Sequence, residues 1–379
     1  MEQIFYATDR QLAPSPGMIF GHQRTNPPGL RMGWEEVRIG PDHQLGKIDP
    51  AIEISAMNEK ANSTTRPGMA TPLQRSDAEM ADVVGTEIRG AIRNAAATAK
   101  GRPRVLLYVH GYRTTFATAV RNTAQLAADL DLITCAGRSR GVAVTYSWPA
   151  QNTLFSYLAD EENAEWTQQR LAPFVRTLAR VCREQGAELT LIAHSMGARA
   201  LVRSLADLAN TCEQEGRSEQ LADHLVLLAP DIGKGLFDQY VERFLPLVHH
   251  LTIYVSSKDR ALGLSTFLHG GHHRLGLIES TLLAALEITG LHREDHRELG
   301  YIAETQGGGK VDMIDVTESF AAQFGHSYED PLFIRDLRAL IYHDTPAGVG
   351  ERSNLERRTV RPGLFRNVGT LSYYQLRKP

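Results

Sequence analysis

From Arg104 onward the chain alternates short apolar runs with longer amphipathic stretches. Val105–Val109, Val142–Trp148, Leu189–Ala193, His224–Ala229, Leu251–Ser256 and Val311–Val316 predict strands. Val105–Val109 is a continuous apolar run, as expected of a strand covered on both faces. Between and after them, Phe116–Leu130, Ala164–Gln185, Ala198–Ala209, Leu236–Leu247, Thr281–Ile288 and Leu332–Tyr342 predict helices, with Pro173 as a kink or early-turn residue. Strands alternating with helices imply an α/β fold with a mainly parallel central sheet and helices on both faces. In such sheets ligands bind at the carboxyl ends of the strands, so the residues just after each strand become the candidates for chemistry.

The pattern before Arg104 is different. Ile4–Ala7, Met18–Gly21 and Trp34–Ile39 read as short strands between Pro- and Gly-rich turns such as Asn26-Pro27-Pro28-Gly29. Residues 63–72 read as loop, and from Ser76 a helix is expected, with Val83, Val84, Ile88 and Ile92 on one face. The chain is therefore divided into an N-terminal extension with short β-strands over 1–100, an α/β domain over 101–345 and a C-terminal tail over 346–379. The tail is Arg-rich and ends in Leu371–Tyr374, which is expected to pack back on the body.

Composition narrows the class. Among 379 residues, 42% are hydrophobic and 22% charged, enough to build a large core. A net charge of -3 gives no reason to expect a nucleic-acid partner. Three cysteines, Cys135, Cys182 and Cys212, lack the number and spacing of a disulfide framework or a zinc site. No signal-peptide pattern and no run long enough to span a bilayer is visible, so a cytoplasmic location is the expectation. The oligomeric state stays open.

The central chemical signal is Ala193-His194-Ser195-Met196-Gly197, between an apolar strand and an amphipathic helix. This is the setting of a nucleophile elbow, where a sharp turn exposes a serine hydroxyl above the sheet. The turn brings the residues two before and two after the serine close together, so both must be small; Ala193 stands where glycine is usual. His110-Gly111-Tyr112 follows the strand Val105–Val109 and is the candidate oxyanion loop. Backbone N–H groups of Gly111 or Tyr112 and of Met196 would bind the developing negative charge. A serine also needs a base and an orienting carboxylate, in the chain order Ser, acid, His. His326, in the loop before the last helix, is the expected base, with His343 a weaker rival at a helix end. Asp259, after the strand Leu251–Ser256, is preferred as the acid; Asp231, one strand earlier, is the alternative. The segment from Trp148 to Trp166 carries the aromatics Phe155 and Tyr157 and the acids Asp160, Glu161 and Glu162, and is a candidate lid or wall of the acyl pocket. Pocket candidates are His110, His194, Trp148 and Tyr157. His269, His272 and His273 cluster near Arg274, and His292 and His296 stand four apart, a spacing that on a helix can hold a metal; with no His-Glu-x-x-His arrangement and no cysteine ligands they read as surface residues, and no metal or other cofactor is expected.

Taken in order, His110-Gly111-Tyr112, Tyr146-Ser147-Trp148-Pro149, Tyr157-Leu158-Ala159-Asp160, Ala193–Gly197, Ala229-Pro230-Asp231, Tyr254-Val255-Ser256 and Asp259-Arg260-Ala261-Leu262 resemble a bacterial α/β-hydrolase family, domain of unknown function number nine hundred. The opening Tyr6-Ala7-Thr8-Asp9-Arg10 is also similar to that family. The resemblance implies an α/β-hydrolase fold and an esterase- or lipase-like serine hydrolase with a Ser-Asp-His triad, acting on a small-molecule ester or acyl substrate. Thioester or amide hydrolysis or acyl transfer would use the same residues. A non-catalytic binding module on the same fold and a metal-dependent hydrolase are the readings from other classes.

Overall fold

The computed structural model describes residues 2–13, 19–40, 43–46, 52–54, 77–99, 101–133, 139–153, 156–256, 311–317, 330–344, 347, 350–352, 354–360 and 371–376. Asp259, His326, Phe155, Cys135, the expected helix at 281–288 and the histidines from 269 to 296 lie outside them.

Eight strands form the parallel body of one eleven-stranded sheet. They are β1 (Glu2–Thr8), β6 (Arg104–Val109), β7 (Gly141–Ser147), β8 (Glu188–His194), β9 (Ala222–Leu228), β10 (Val248–Val255), β11 (Val311–Asp315) and β13 (Leu371–Leu376). The order across the sheet is β12-β13-β11-β10-β9-β8-β6-β7-β1-β4-β5, with β4 (Arg31–Arg38), β5 (Glu53–Ile54) and β12 (Leu355–Val360) antiparallel at its edges. A separate pair, β2 (Arg10–Leu12) and β3 (Phe20–Arg24), is antiparallel.

The helices are α1 (Asp77–Ala96), α2 (Phe116–Asp129), α3 (Tyr157–Glu184), α4 (Met196–Gln214), α5 (Lys234–Phe244) and α6 (Pro331–His343). The apolar runs supply both faces of the sheet. In β6, Val105, Leu107 and Val109 pack with α1, α3, α4 and α5, while Leu106 and Tyr108 pack with α2 and α6. Strand side chains alternate in this way because the pleat has a period of two. The α/β-hydrolase-like fold expected from the alternation is therefore present, with short N-terminal strands joined to it.

Three elements differ from the expectation or extend it. The helix expected to start at Ala164 begins at Tyr157 and passes through Pro173 to Glu184. Its first two turns bury Asp160 and Asn163, polar residues that hide the apolar periodicity. β1 extends to Glu2 and Thr8 and lies inside the main sheet, hydrogen-bonded to β7 and β4. The C-terminal Leu371–Tyr374 is the start of β13, which joins β11, with β12 as its hairpin partner.

Candidate functional site

Register places the candidate residues together. Val109 pairs with Ala193, and His194 with Leu228, so β6, β8 and β9 end at one level. The next residues are His110-Gly111, Ser195 and Ala229-Pro230-Asp231. Ser195 lies between β8 and α4 with φ 51° and ψ -123°. A non-glycine residue at positive φ costs about 1–3 kcal/mol and persists only where neighbours hold it. Here the Ser195 N–H donates to the Leu228 carbonyl (2.9 Å), and the Ser195 carbonyl accepts from Ala198 N–H (3.0 Å) and Asp231 N–H (3.1 Å). Arg113 (φ 55°) and Ala229 (φ 42°) carry the same strain on the flanking loops.

Two glycines make the approach possible. A methyl group on Gly197 would lie 2.7 Å from the Val109 carbonyl oxygen and closer still to that of His110. The atoms nearest such a methyl group are thus the carbonyls at the end of β6. The reason is that α4 crosses the end of the adjacent strand. A methyl group on Gly111 would lie 2.8 Å from His194 Nδ1 and 3.0 Å from Ser195 Cβ, so the Gly111 backbone rests against the serine side chain. Met196 is the first residue of α4. First-turn amides have no acceptor within their own helix, and the helix dipole adds positive potential at this end.

His110 is wholly buried. Its Nε2 lies 3.3 Å from Arg10 Nη2, and its Nδ1 lies 2.8 Å from the Gly111 carbonyl. Guanidinium offers only donors, so Nε2 accepts and Nδ1 carries the proton. Burial first, and the Arg10 charge second, push its pKa down to about 3, so the ring is neutral. Trp148, also wholly buried, stacks on it with centroids 5.0 Å apart and donates from Nε1 to the His110 carbonyl (2.7 Å).

Asp231 is buried and its Oδ2 accepts from the Tyr157 hydroxyl at 2.5 Å. The Tyr157 ring lies 5.7 Å from that of Tyr112, whose hydroxyl donates to the Thr153 carbonyl (2.8 Å). Tyr112, Tyr157 and Asp231 thus bridge the loops after β6, β7 and β9. Of the weighed residues, Ser195, Met196, Gly111, Tyr112, Asp231, Tyr157 and His194 come together. His343 does not: α6 ends beside the start of β6, where Arg104 Nε donates to the Ile341 carbonyl (3.3 Å). It is therefore at the opposite end of the sheet from Ser195.

Asp9, Arg10, Ser147 and Asp160 stand within the family-like motifs without an individual role legible in the sequence, and all are fully buried near these loops. Asp9 accepts from the hydroxyls of Thr167 and Tyr146, and burial pushes its pKa up to about 6. Asp160 accepts from the N–H groups of Gln151 (2.6 Å) and Arg113 (3.4 Å), and burial raises it likewise to about 6. Burial pushes the Arg10 guanidinium down, to about 9, and leaves it charged at neutral pH. The available signal was Asp9-Arg10 itself, two charges at the end of an apolar strand.

Among the described residues no group of three or more His, Cys, Asp or Glu side chains could hold a metal ion, and no helix is long and apolar enough to cross a membrane. A search of curated proteins finds no match. Among solved structures, phospholipase PlaB from Legionella pneumophila in complex with thio-NAD is similar over part of the chain. The identity is 13% and the TM-score 0.26, covering 42% of this chain and 39% of that one, so the chain spans about two fifths of that protein's length. A family model of α/β hydrolases of unknown function, DUF900, matches residues 89–295, and the chain belongs to that family.

Proposed function

We propose that the protein is a serine hydrolase that cleaves carboxylic esters through an acyl-enzyme. The observation that carries the reading is the positive-φ turn at Ser195 with the Gly111 backbone against its side chain. In this reading Ser195 Oγ attacks the ester carbonyl while His326 takes its proton and Asp259 orients the imidazole. The Tyr112 (or Gly111) and Met196 N–H groups bind the oxyanion. Collapse of the tetrahedral intermediate expels the alcohol, which receives the proton from His326. Water, deprotonated by His326, then attacks the acyl-serine, and the second intermediate collapses to release the acid while His326 returns the proton to Ser195 Oγ. These steps need no cofactor. Asp231 is the alternative acid; with Asp259 in that role, Asp231 holds Tyr157 and anchors the elbow backbone. Cytoplasmic action is part of the proposal, and it suits the free, buried thiols of Cys182 and Cys212.

The test is fluorophosphonate labelling followed by turnover of p-nitrophenyl esters of graded chain length. Ser195→Ala is expected to abolish both while the protein stays folded; a folded Ser195→Ala protein with full activity overturns the reading. Asp259→Asn is expected to lower kcat by about 10⁴, the size known for a mis-oriented triad histidine, and Asp231→Asn by much less. The reverse order would make Asp231 the acid. His326→Ala should remove most activity together with the single-proton acid limb of kcat/KM.

A further inference from the structure

We propose that Arg10 is a positioning residue for the oxyanion loop, its buried guanidinium holding the Thr114 carbonyl and the His110 ring so that the Gly111–Tyr112 backbone stays aimed at Ser195. The inference rests on the serine-hydrolase reading above.

Arg10 has no exposed surface, and the acceptors around it come from separate segments. Nε donates to Ser147 Oγ (2.9 Å) at the end of β7. Nη1 donates to the carbonyls of Gly21 (3.0 Å) in β3 and Ala150 (3.2 Å) in the loop after β7. Nη2 donates to the Thr114 carbonyl (2.7 Å) and to His110 Nε2 (3.3 Å), both in the loop after β6. Five donors in a fixed planar fork meet five neutral acceptors, which a lysine ammonium could not reproduce.

Asp160 grips the same two loops by their amides. It accepts from Arg113 N–H and Gln151 N–H, where Arg10 takes the carbonyls of Thr114 and Ala150. The peptide group joining Ala150 to Gln151 is held from both ends by opposite charges. In the other loop the clamp closes on Arg113, whose positive φ directly follows Tyr112. A turn in that conformation relaxes when its anchors go, and the relaxation would swing the Tyr112 N–H away from the serine. The Thr8-Asp9-Arg10 run also ties the clamp to the sheet. The Thr8 hydroxyl donates to the Ser147 carbonyl (2.6 Å) and accepts from Arg10 N–H (3.2 Å).

Arg10→Lys tests this in the full chain. Wild type is first labelled with fluorophosphonate; failure of Ser195 to react overturns both the hydrolase reading and this one. With labelling established, Arg10→Lys should lose about 10²-fold in kcat per titrated active site, with KM within about threefold of wild type. Its affinity for an alkyl trifluoromethyl ketone, which forms an oxyanion on Ser195, should fall by the same factor as kcat. Methylguanidinium added to Arg10→Ala should restore part of kcat. A merely structural role would reduce melting temperature and the number of titratable sites but leave kcat per site alone, and that result overturns the proposal. If Arg10→Lys does not fold, Ser147→Ala removes one anchor and keeps the buried charge. It should lower kcat per site by about fivefold at unchanged KM, and an unchanged kcat overturns the proposal.

Discussion

Small side chains set the limits of the elbow. At Gly197 an added methyl group meets two backbone carbonyls at the end of β6, and neither can rotate away. Gly197→Ala should therefore force α4 off β6, costing about 2–3 kcal/mol and most of the activity. Gly111→Ala meets the His194 ring first, which has some freedom to turn, and then Ser195 Cβ and the His194 carbonyl at 3.0 and 3.1 Å, which need give only a few tenths of an ångström. It should cost about 1 kcal/mol in stability and proportionally more in kcat, since the groups that move are those at the reaction centre. Thermal melts beside ester kinetics distinguish the two, and a wild-type melt for Gly197→Ala would contradict the steric account.

At the scale of elements, the chain ends are structural parts of the sheet. β1 separates β7 from β4, and β13 extends the sheet beyond β11. The C-terminal segment also contributes Arg352, wholly buried, which donates to Asp336 Oδ1 (2.9 Å) in α6 and Asp312 Oδ2 (2.7 Å) in β11. The Tyr254 hydroxyl donates to Asp336 (2.6 Å), and His250 Nε2 lies 3.0 Å from Asp312, so four elements meet at one ionic cluster. Removing the cation strands two buried carboxylates. Arg352→Met should lower unfolding free energy by about 3–5 kcal/mol in a urea titration at neutral pH. A loss below about 1 kcal/mol would mean that the cluster relaxes without its arginine. The Arg-rich tail conceals this role because the partners of Arg352 lie 16 and 40 residues away, beyond any local pattern.

At the scale of the whole molecule, four of the buried titratable groups among the described residues act against one another as pH changes. Asp9 and Asp160, raised to about 6, bind protons in the folded state before the unfolded chain does, so they stabilise as pH falls from about 6 to 4. His110 and His224, lowered by burial to about 3 and about 4, bind protons first when unfolded, so they destabilise as pH falls below 6.5. Between pH 6 and 4 two groups oppose two, and their summed contribution is nearly flat. Below pH 4 the histidine effect is left, chiefly that of His110, and stability declines. Asp9→Asn breaks the balance. Relative to wild type, its unfolding free energy should drop by about 1.4 kcal/mol per pH unit between pH 6 and 4. Denaturant titrations at pH 7, 6, 5 and 4 measure the difference directly, and a constant gap between the two proteins would show that Asp9 ionises normally.

The residues near one another in sequence determined the strands β6, β8 and β10, the helix α4, and the steric demand for a small residue after Ser195. Apolar runs and helical periodicity are properties of neighbours a few positions apart, so they are readable without coordinates. The convergence of Gly111 with Ser195 followed from the rule that parallel strands present their carboxyl ends together. Only tertiary structure decided that Arg10 and Asp9 are buried, because a charge can be buried only if its partners are present. For Arg10 those partners, His110 and Ser147, lie 100 and 137 residues away. The same holds for the start of α3, where the buried face is polar, and for the pairing of β13. Each is settled by desolvation and hydrogen bonding across the fold, which no local pattern records.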